Sequence, residues 1–562
     1  MARSFRTEPL REPRTRVVLP DPFYYLSNFE TVIASLNQRY ADLWTAEEQQ
    51  FLATFEALPK ASRALLVRMV MRDGVLFRAS RLDYPEIGET SAAAAPLVQV
   101  GWVDDAPNLD IDQLQRLITK AELVQHLALP RPERALNKPD LVARLRETYP
   151  EPKPFHDWCR DSSDRIYRLV AAPLCDRLRL MFFGNFHQDW SEFVLRDLGI
   201  FAYEKIPSSL QARPFDTRAQ IDAFEQLYLC GQCLSAGLPL DQVIAAIPAA
   251  ITDSDWLEQR RQKLLFQVGQ AAERLGDARA ALEVYSTCTY RGARLRTIRL
   301  LERAHEWEIA RDLCLAALRI SQNEAELEQL CRLLPRLNRK LGVAAKLPRA
   351  PPTVPAFDIV VERLSNEEAV EYCALDYLKH QAQGHTALHY VENGLVNSLF
   401  GLLCWRAIFE PVPGAFFHDF QYGPSDLSSG YFYERRRQAF IDCFKELESD
   451  EYQRTIRRVF VEKAGIQSPF VAWRVLSKPL LDSALACIPA SHLRVWFEWI
   501  VRDVQENRAG FPDLVQFWPL QRRYRMIEVK GPGDRLQDNQ RRLLEYCVSH
   551  DMPVSVCHVR WA

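Results

Sequence analysis

From Tyr24 to about Tyr84 apolar positions recur every three or four residues, as in "YLSNFETVIASLNQRYADLW" and "SRALLVRMVMR". That spacing predicts amphipathic helices, interrupted by a short strand at "DGVLFR". Residues 110–147 read as two helices joined by a loop, "DIDQLQRLITKAELVQHLAL" and "NKPDLVARLRE". Asn137 and Asp140 suit the start of the second, with Pro139 in its first turn. Helical periodicity continues from about 210 to 345 and carries a weak repeat. "ERLGDARAALEVY" (Glu273–Tyr285) aligns with "ERAHEWEIARDLC" (Glu302–Cys314) at an offset of 29 residues. Gly269, Ala281 and Tyr285 fall where a tetratricopeptide helix pair places small, small and aromatic residues, although that repeat is usually about 34 residues long.

The period changes near the C-terminus. "DLVQFW" (Asp513–Trp518) and "YRMIEVK" (Tyr524–Lys530) are apolar and aromatic enough for strands, with Pro519 and polar residues as the hairpin loop between them. "GPGDR" then breaks the chain, "DNQRRLLEYCVSH" predicts a helix and "PVSVCHV" a last strand. Upstream, "ALHYVENGLVNSLFGLLCWRAIF" reads as a turn around Glu392 followed by a buried helix. Residues 345–356, "AKLPRAPPTVPA", hold four prolines and predict a linker. The expected fold class is α+β and multidomain. Helical N-terminal and repeat regions precede a C-terminal α/β domain of the PD-(D/E)xK, restriction-endonuclease-like kind.

Composition sets limits on this picture. At 562 residues the chain exceeds one ordinary core, so three or four domains are expected. Lys and Arg (71) nearly balance Asp and Glu (73), which argues against indiscriminate coating of nucleic acid but allows local basic surfaces. No run of about 20 apolar residues predicts a membrane span, and the arginine-rich N-terminus has no apolar stretch of a secretory signal. Thirteen scattered cysteines suit reduced thiols. Cys230 and Cys233 have CxxC spacing but no second pair for zinc, so they read as helix-packing residues.

The chemistry concentrates in Pro512-Asp513 and Glu528-Val529-Lys530. A hairpin sets the start of one strand beside the end of the next, so Asp513 and Glu528 can meet at one edge, with the Val529 carbonyl joining them. Glu392 is a third candidate oxygen ligand, expected from the preceding helix. Mg2+ and Mn2+ prefer such oxygen donors. Lys530 is two residues from Glu528 and shares its strand face. There its ammonium can stabilise charge growing on a phosphate. From Gln521 to Arg542 seven basic residues face three acids, which attracts a phosphate backbone. A rival zinc constellation, His385, His389 and Glu392, lacks the HExxH pattern and reads as packing or phosphate contact instead. Lys138, near a helix N-terminus, either grips phosphate or belongs to an interdomain helical pair. Arg68 and Arg72 lie in an arginine-rich segment that is either a DNA contact or a solvated basic face. Seven cations (Arg260, Arg261, Lys263, Arg291, Arg294, Arg296 and Arg299) make the repeat region basic enough to face DNA.

"EVKGPGDRL" with Gln540 after it, "FPDLV", "LFGLLCWRAIFEPVPGAFFHDFQYGPSDL" and "SRALLVRMVMRDGVLFRASRLDYPEI" together resemble the Fanconi-associated nuclease family, whose C-terminal module is the virus-type replication-repair nuclease. The resemblance implies a structure-selective 5′-flap endonuclease and 5′-to-3′ exonuclease of interstrand-crosslink repair. It implies Mg2+ or Mn2+, one or two ions, held by Glu392, Asp513, Glu528 and Val529, with Lys530 as the catalytic lysine and Gln540 in support. Branched or 5′-flap DNA is the implied partner, bound by a monomer or a DNA-dependent dimer, with Lys138, Arg68, Arg72 and Arg535 as candidate contacts. The domain order it implies is an N-terminal helical region (1–65), a SAP-like DNA-binding domain (66–170), a tetratricopeptide-like domain (171–350) and the nuclease (357–562). No ubiquitin-binding finger is expected, as in the shorter bacterial form, where the protein is cytoplasmic and nucleoid-associated; a eukaryotic form is nuclear. The alternative is a catalytically inactive helical-repeat adaptor that only binds DNA or protein.

Overall fold

The computed structural model describes residues 21–197, 199–207, 212–343, 352–362, 369–382 and 386–562. Most of the predicted linker, and His385 of the rival zinc set, lie outside them.

Helices Tyr24–Tyr40, Ala46–Ala57, Lys60–Val70 and Thr90–Gln99 form the N-terminal body with Ala172–Phe183. Thr45 starts the second of these helices with a reciprocal cap. The Thr45 N–H donates to Glu48 Oε2 at 2.9 Å and the Glu48 N–H to Thr45 Oγ1 at 3.2 Å. One continuous core runs from Tyr25 to Leu257 and takes in Phe420 from far along the chain. A boundary between residues 65 and 66 therefore falls inside a helix, where Ala64, Leu65, Leu66 and Val67 are all buried. The strand expected at "DGVLFR" is Leu76–Arg78, paired antiparallel with Ile166–Leu169.

Between these strands sits a small unit with its own core of Leu109, Ile111, Leu114, Leu123, Leu141, Leu145 and Trp158. The expected long helix from 110 is instead two short ones, Ile111–Leu117 and Lys120–His126. Thr119 makes a second capping box with Glu122 in mid-pattern, and this restarts the helix.

The repeat region is a series of antiparallel helices, including Asp255–Arg274, Ala278–Ser286, Ala293–Arg303, Trp307–Arg319 and Glu324–Lys340. The weak repeat is visible in the backbone. Gly276 (φ 80°) and His305 (φ 66°), 29 residues apart, both end a helix in the left-handed region. Gly269 admits a neighbour's ring: a Cβ there would lie 2.3 Å from Tyr285 Cε1.

The C-terminal domain has five strands: β1 (Ala356–Val361), β2 (Ala387–Tyr390), β3 (Leu514–Trp518), β4 (Arg523–Lys530) and β5 (Val554–Trp561). Helix α1 (Val370–Gln381) lies between β1 and β2, α2 (Gly394–Leu403) follows β2, and α3 (Asp538–Ser549) joins β4 to β5. The sheet order is β1-β5-β4-β3-β2. β5 is parallel to both β1 and β4, whereas β3 is antiparallel to β4 and β2. The β3–β4 hairpin is the predicted one. β1 and β2 were not predicted: β1 follows the proline-rich stretch and β2 spans only four residues. One sheet face (Leu388, Leu514, Ile527, Val529) packs with Ala374 and Leu375 of α1. The other (Val515, Phe517, Met526, Val554) meets α2, α3 and the helices inserted between α2 and β3. α2 is buried along its whole length after Gly394, which explains its unbroken apolar run.

Candidate active site

The hairpin brings the start of β3 to the end of β4, in the register Leu514 opposite Ile527. Asp513, the residue before β3, knots this edge together. Its carboxylate Oδ2 accepts the Val529 N–H at 2.8 Å. Its backbone oxygen accepts the N–H groups of Val391 (2.8 Å) and Glu392 (3.0 Å). Gly510 (φ 94°) brings the chain in, and a side chain there would press on the Asn539 backbone at 3.0 Å. The side chain of Asn393 accepts the Phe511 N–H at 3.0 Å, tying the turn after β2 to the same segment.

Glu528 is 0% exposed, and neither of its carboxylate oxygens has a hydrogen-bond partner among the described residues. Lys530 Nζ, itself largely buried, lies 2.8 Å from Glu528 Oε1 as an ion pair without hydrogen-bond alignment. By strand alternation Glu528 and Lys530 share the face of Met526. Burial, then the neighbouring Asp513 charge, push the Glu528 carboxyl up to about 7 against the pull of Lys530. Burial likewise raises Asp513 to about 6, although the Val529 N–H and Lys530 oppose it. Two adjacent acids both resisting ionisation mark a place that lacks positive charge.

Glu392 comes from the turn between β2 and α2, not from a preceding helix, because "ALHY" is strand. It is exposed, has φ 29°, and accepts the Tyr390 hydroxyl at 2.6 Å. The charges of Glu392, Asp513, Glu528 and Lys530 act on one another. Even so, among the described residues no three His, Cys, Asp or Glu side chains form a ready metal cage. The donor set nevertheless fits a hard divalent cation: carboxylate oxygens on Asp513, Glu528 and Glu392, with Glu528 fully buried and set against the single ammonium of Lys530.

Other expected site residues have different partners. The Gln540 side chain forms a capping box with Gln537 at the start of α3. Lys138 donates to the carbonyls of Gln115 (2.6 Å) and Ile118 (3.1 Å), closing the end of a helix instead of offering a free cation. Arg68 lies over the rings of Tyr25 and Tyr84 and pairs with Glu86 at 2.6 Å. Arg72 donates to the Arg81 carbonyl. Arg535 is exposed, with no hydrogen bond or ion pair among the described residues. His389 Nε2 is buried with no hydrogen-bond partner among the described residues. Sequence reasoning missed Tyr390, which holds Glu392, and Glu371 on α1. Without β2 in the reading nothing connected them to the motif.

Family profiles described as "FAN1, HTH domain", "Fanconi anemia-associated nuclease SAP domain" and "VRR-NUC domain" match residues 23–104, 108–158 and 447–561. The Fanconi-associated nuclease 1 homolog of Pseudomonas aeruginosa is 48% identical over 549 residues, covering 98% of each chain. The chain belongs to the Fanconi-associated nuclease family. A family homolog from Arabidopsis thaliana is 25% identical over 96% of this chain and 67% of its own. Among solved structures, "paFAN1 bound to 2nt 5'flap DNA with gap" superposes with a TM-score of 0.93, covering 97% of this chain and 99% of that one. A second, bound to 1nt 5′ flap DNA with gap, gives 0.90. A Fanconi-associated nuclease of this shape is mostly helical and carries its nuclease module on the C-terminal sheet.

Proposed function

We propose that this chain is a structure-selective DNA nuclease that hydrolyses phosphodiester bonds next to a 5′ flap, in the service of DNA repair, and that it requires Mg2+ or Mn2+ at the β3–β4 edge. The observation that carries the reading is the pair of buried carboxylates, Asp513 and Glu528, set against the one ammonium of Lys530, 2.8 Å from Glu528 Oε1. A bound divalent cation supplies a Lewis acid and a water of lowered pKa. The protein does the rest. Val529 fixes the Asp513 carboxylate through its N–H and offers a backbone oxygen at the strand end. The Tyr390 hydroxyl aims Glu392. The Lys530 ammonium faces the developing negative charge on the phosphate and its attacking oxygen, stabilisation worth most where water is excluded. The small unit at 108–158, which matches the SAP-domain profile, is proposed to hold a duplex arm. An inactive adaptor has no use for two acids buried side by side against one lysine, so we set that alternative aside.

The test is cleavage of end-labelled 5′-flap DNA by the purified full chain with Mg2+, with Mn2+ and with EDTA. Cleavage with metal alone, lost in Asp513→Ala and Lys530→Ala while DNA binding persists, is expected. Full activity in EDTA or in either variant refutes the reading.

A further inference from the structure

Glu371 is the one acid near this edge that comes from α1, the helix packed on the sheet face opposite Glu528. Three contacts place it. A Cβ on Gly531, the residue after Lys530, would lie 3.6 Å from Val370 Cγ2, so the first turn of α1 abuts the end of β4. Tyr372 pairs with Tyr390 at 5.1 Å between ring centroids, and the Tyr390 hydroxyl holds Glu392. The two residues flanking Glu371 thus touch the two flanks of the site. Glu371 is half-buried and makes no hydrogen bond or ion pair among the described residues, whereas Asp376 farther along α1 pairs with Lys379 at 3.7 Å.

We propose that Glu371 is a positioning carboxylate of the nuclease centre, accepting hydrogen bonds from water molecules that a hydrated divalent cation retains at the β3–β4 edge. The inference rests on the nuclease reading above and extends it. A cation of the Mg2+ type dehydrates reluctantly and keeps several waters when protein carboxylates are few. Those waters need acceptors, and outer partners of this kind set metal affinity nearly as strongly as the ligands do. Among the described residues no three His, Cys, Asp or Glu side chains form a ready cage, so a cation held at this edge would keep waters of its own. The independent sign that a cation belongs there is Glu528, fully buried beside Asp513, with Oε2 lacking any partner among the described residues and Oε1 meeting only Lys530 Nζ at 2.8 Å. The plainer role for an acid in the first turn of a helix is to face the helix dipole. That role is independent of metal, and this difference separates the two.

Mn2+ binding to the full chain without DNA, followed by the electron paramagnetic resonance of the free ion, distinguishes them. Glu371→Gln is expected to bind Mn2+ about tenfold more weakly than wild type, and to need about tenfold more Mn2+ for half-maximal flap cleavage. Asp376→Asn, on the same helix, is expected to match wild type in both. Melting in EDTA checks folding; should Glu371→Gln melt low, Glu371→Ala judged against an equally destabilised α1 variant, Leu375→Ala, replaces it under the same criterion. Wild-type Mn2+ affinity in the Glu371 variant, with binding lost in Asp513→Ala, overturns this inference alone. Wild-type affinity in Asp513→Ala overturns the nuclease centre itself.

Discussion

In the helical repeat, arginine after arginine meets an acid. Arg294 pairs with Glu326 at 2.6 Å, Arg296 with Glu273 at 2.9 Å, and Arg291 reaches both Asp503 and Glu506 at 3.3 Å. At the β3–β4 edge the opposite holds: Asp513 and Glu528 are buried side by side, and one lysine is all the positive charge set against them. The repeat has more charge, and four of its seven named cations, Arg261, Arg291, Arg294 and Arg296, are paired with acids. The edge has little charge and leaves it unsatisfied. Counting basic residues pointed to the repeat as a DNA face; following their partners shows most of that charge already committed to holding helices together. Function is to be sought where burial and charge conflict and nothing in the fold resolves the conflict.

The largest effect should come from the edge. Single-turnover cleavage of a 5′-flap substrate is expected to fall about a hundredfold to a thousandfold in Lys530→Ala, and at least as far in Asp513→Ala, with flap affinity in EDTA unchanged. Loss of DNA binding in parallel with cleavage would make the edge a docking surface and erase the contrast.

Breaking a repeat pair should do the reverse. Arg294→Ala strands Glu326, which is 3% exposed, at a cost of about 1–3 kcal/mol in urea denaturation, while flap affinity at fixed salt stays within about twofold. A large affinity loss without a stability loss would return the repeat arginines to the DNA face.

The third test uses pH. The folded chain holds the Glu528 carboxyl at about 7 against an ordinary value of 4.5, so between those values the folded state binds more protons than the unfolded one. Metal-free stability from this group therefore falls as pH rises from 4.5 to 7 and levels off above. In EDTA, Glu528→Gln should melt near wild type at pH 5 and about 2–4 °C higher at pH 8. A variant that melts lower at pH 8 shows Glu528 to be satisfied as a charge, like the acids of the repeat.

The smallest effect belongs to Lys138. Lys138→Met should loosen the 108–158 unit by about 1 kcal/mol and leave the salt dependence of DNA binding as it is. A salt slope reduced by about 1 would mark a phosphate contact after all.

The β3–β4 hairpin was legible because its strands are rich in apolar and aromatic residues and its turn carries proline and polar residues, and those two strands alone place Asp513, Glu528 and Lys530 together. The backbone repeat was legible too, at Gly276 and His305. What the chain hid was non-local. β2 is four residues long and looks like part of a turn, so the strand that delivers Glu392 and its Tyr390 tether passed unseen. Val370, just before Glu371, comes against Gly531, just after Lys530, only through the packing of α1 on the end of β4. Gln540 and Lys138 have residue types that suit a site, yet local geometry spends them on a helix cap and a helix end. Thr119 hid a helix break inside an apolar pattern, because a capping box can restart a helix without interrupting its period.

The central claim is that the acids at the β3–β4 edge are unsatisfied because a divalent cation belongs there. Anomalous diffraction from crystals of the full chain soaked in Mn2+ tests it most directly. The account predicts a manganese peak bounded by the carboxylates of Glu392, Asp513 and Glu528, with Lys530 Nζ nearby. Manganese bound elsewhere, with no peak at this edge, would contradict it.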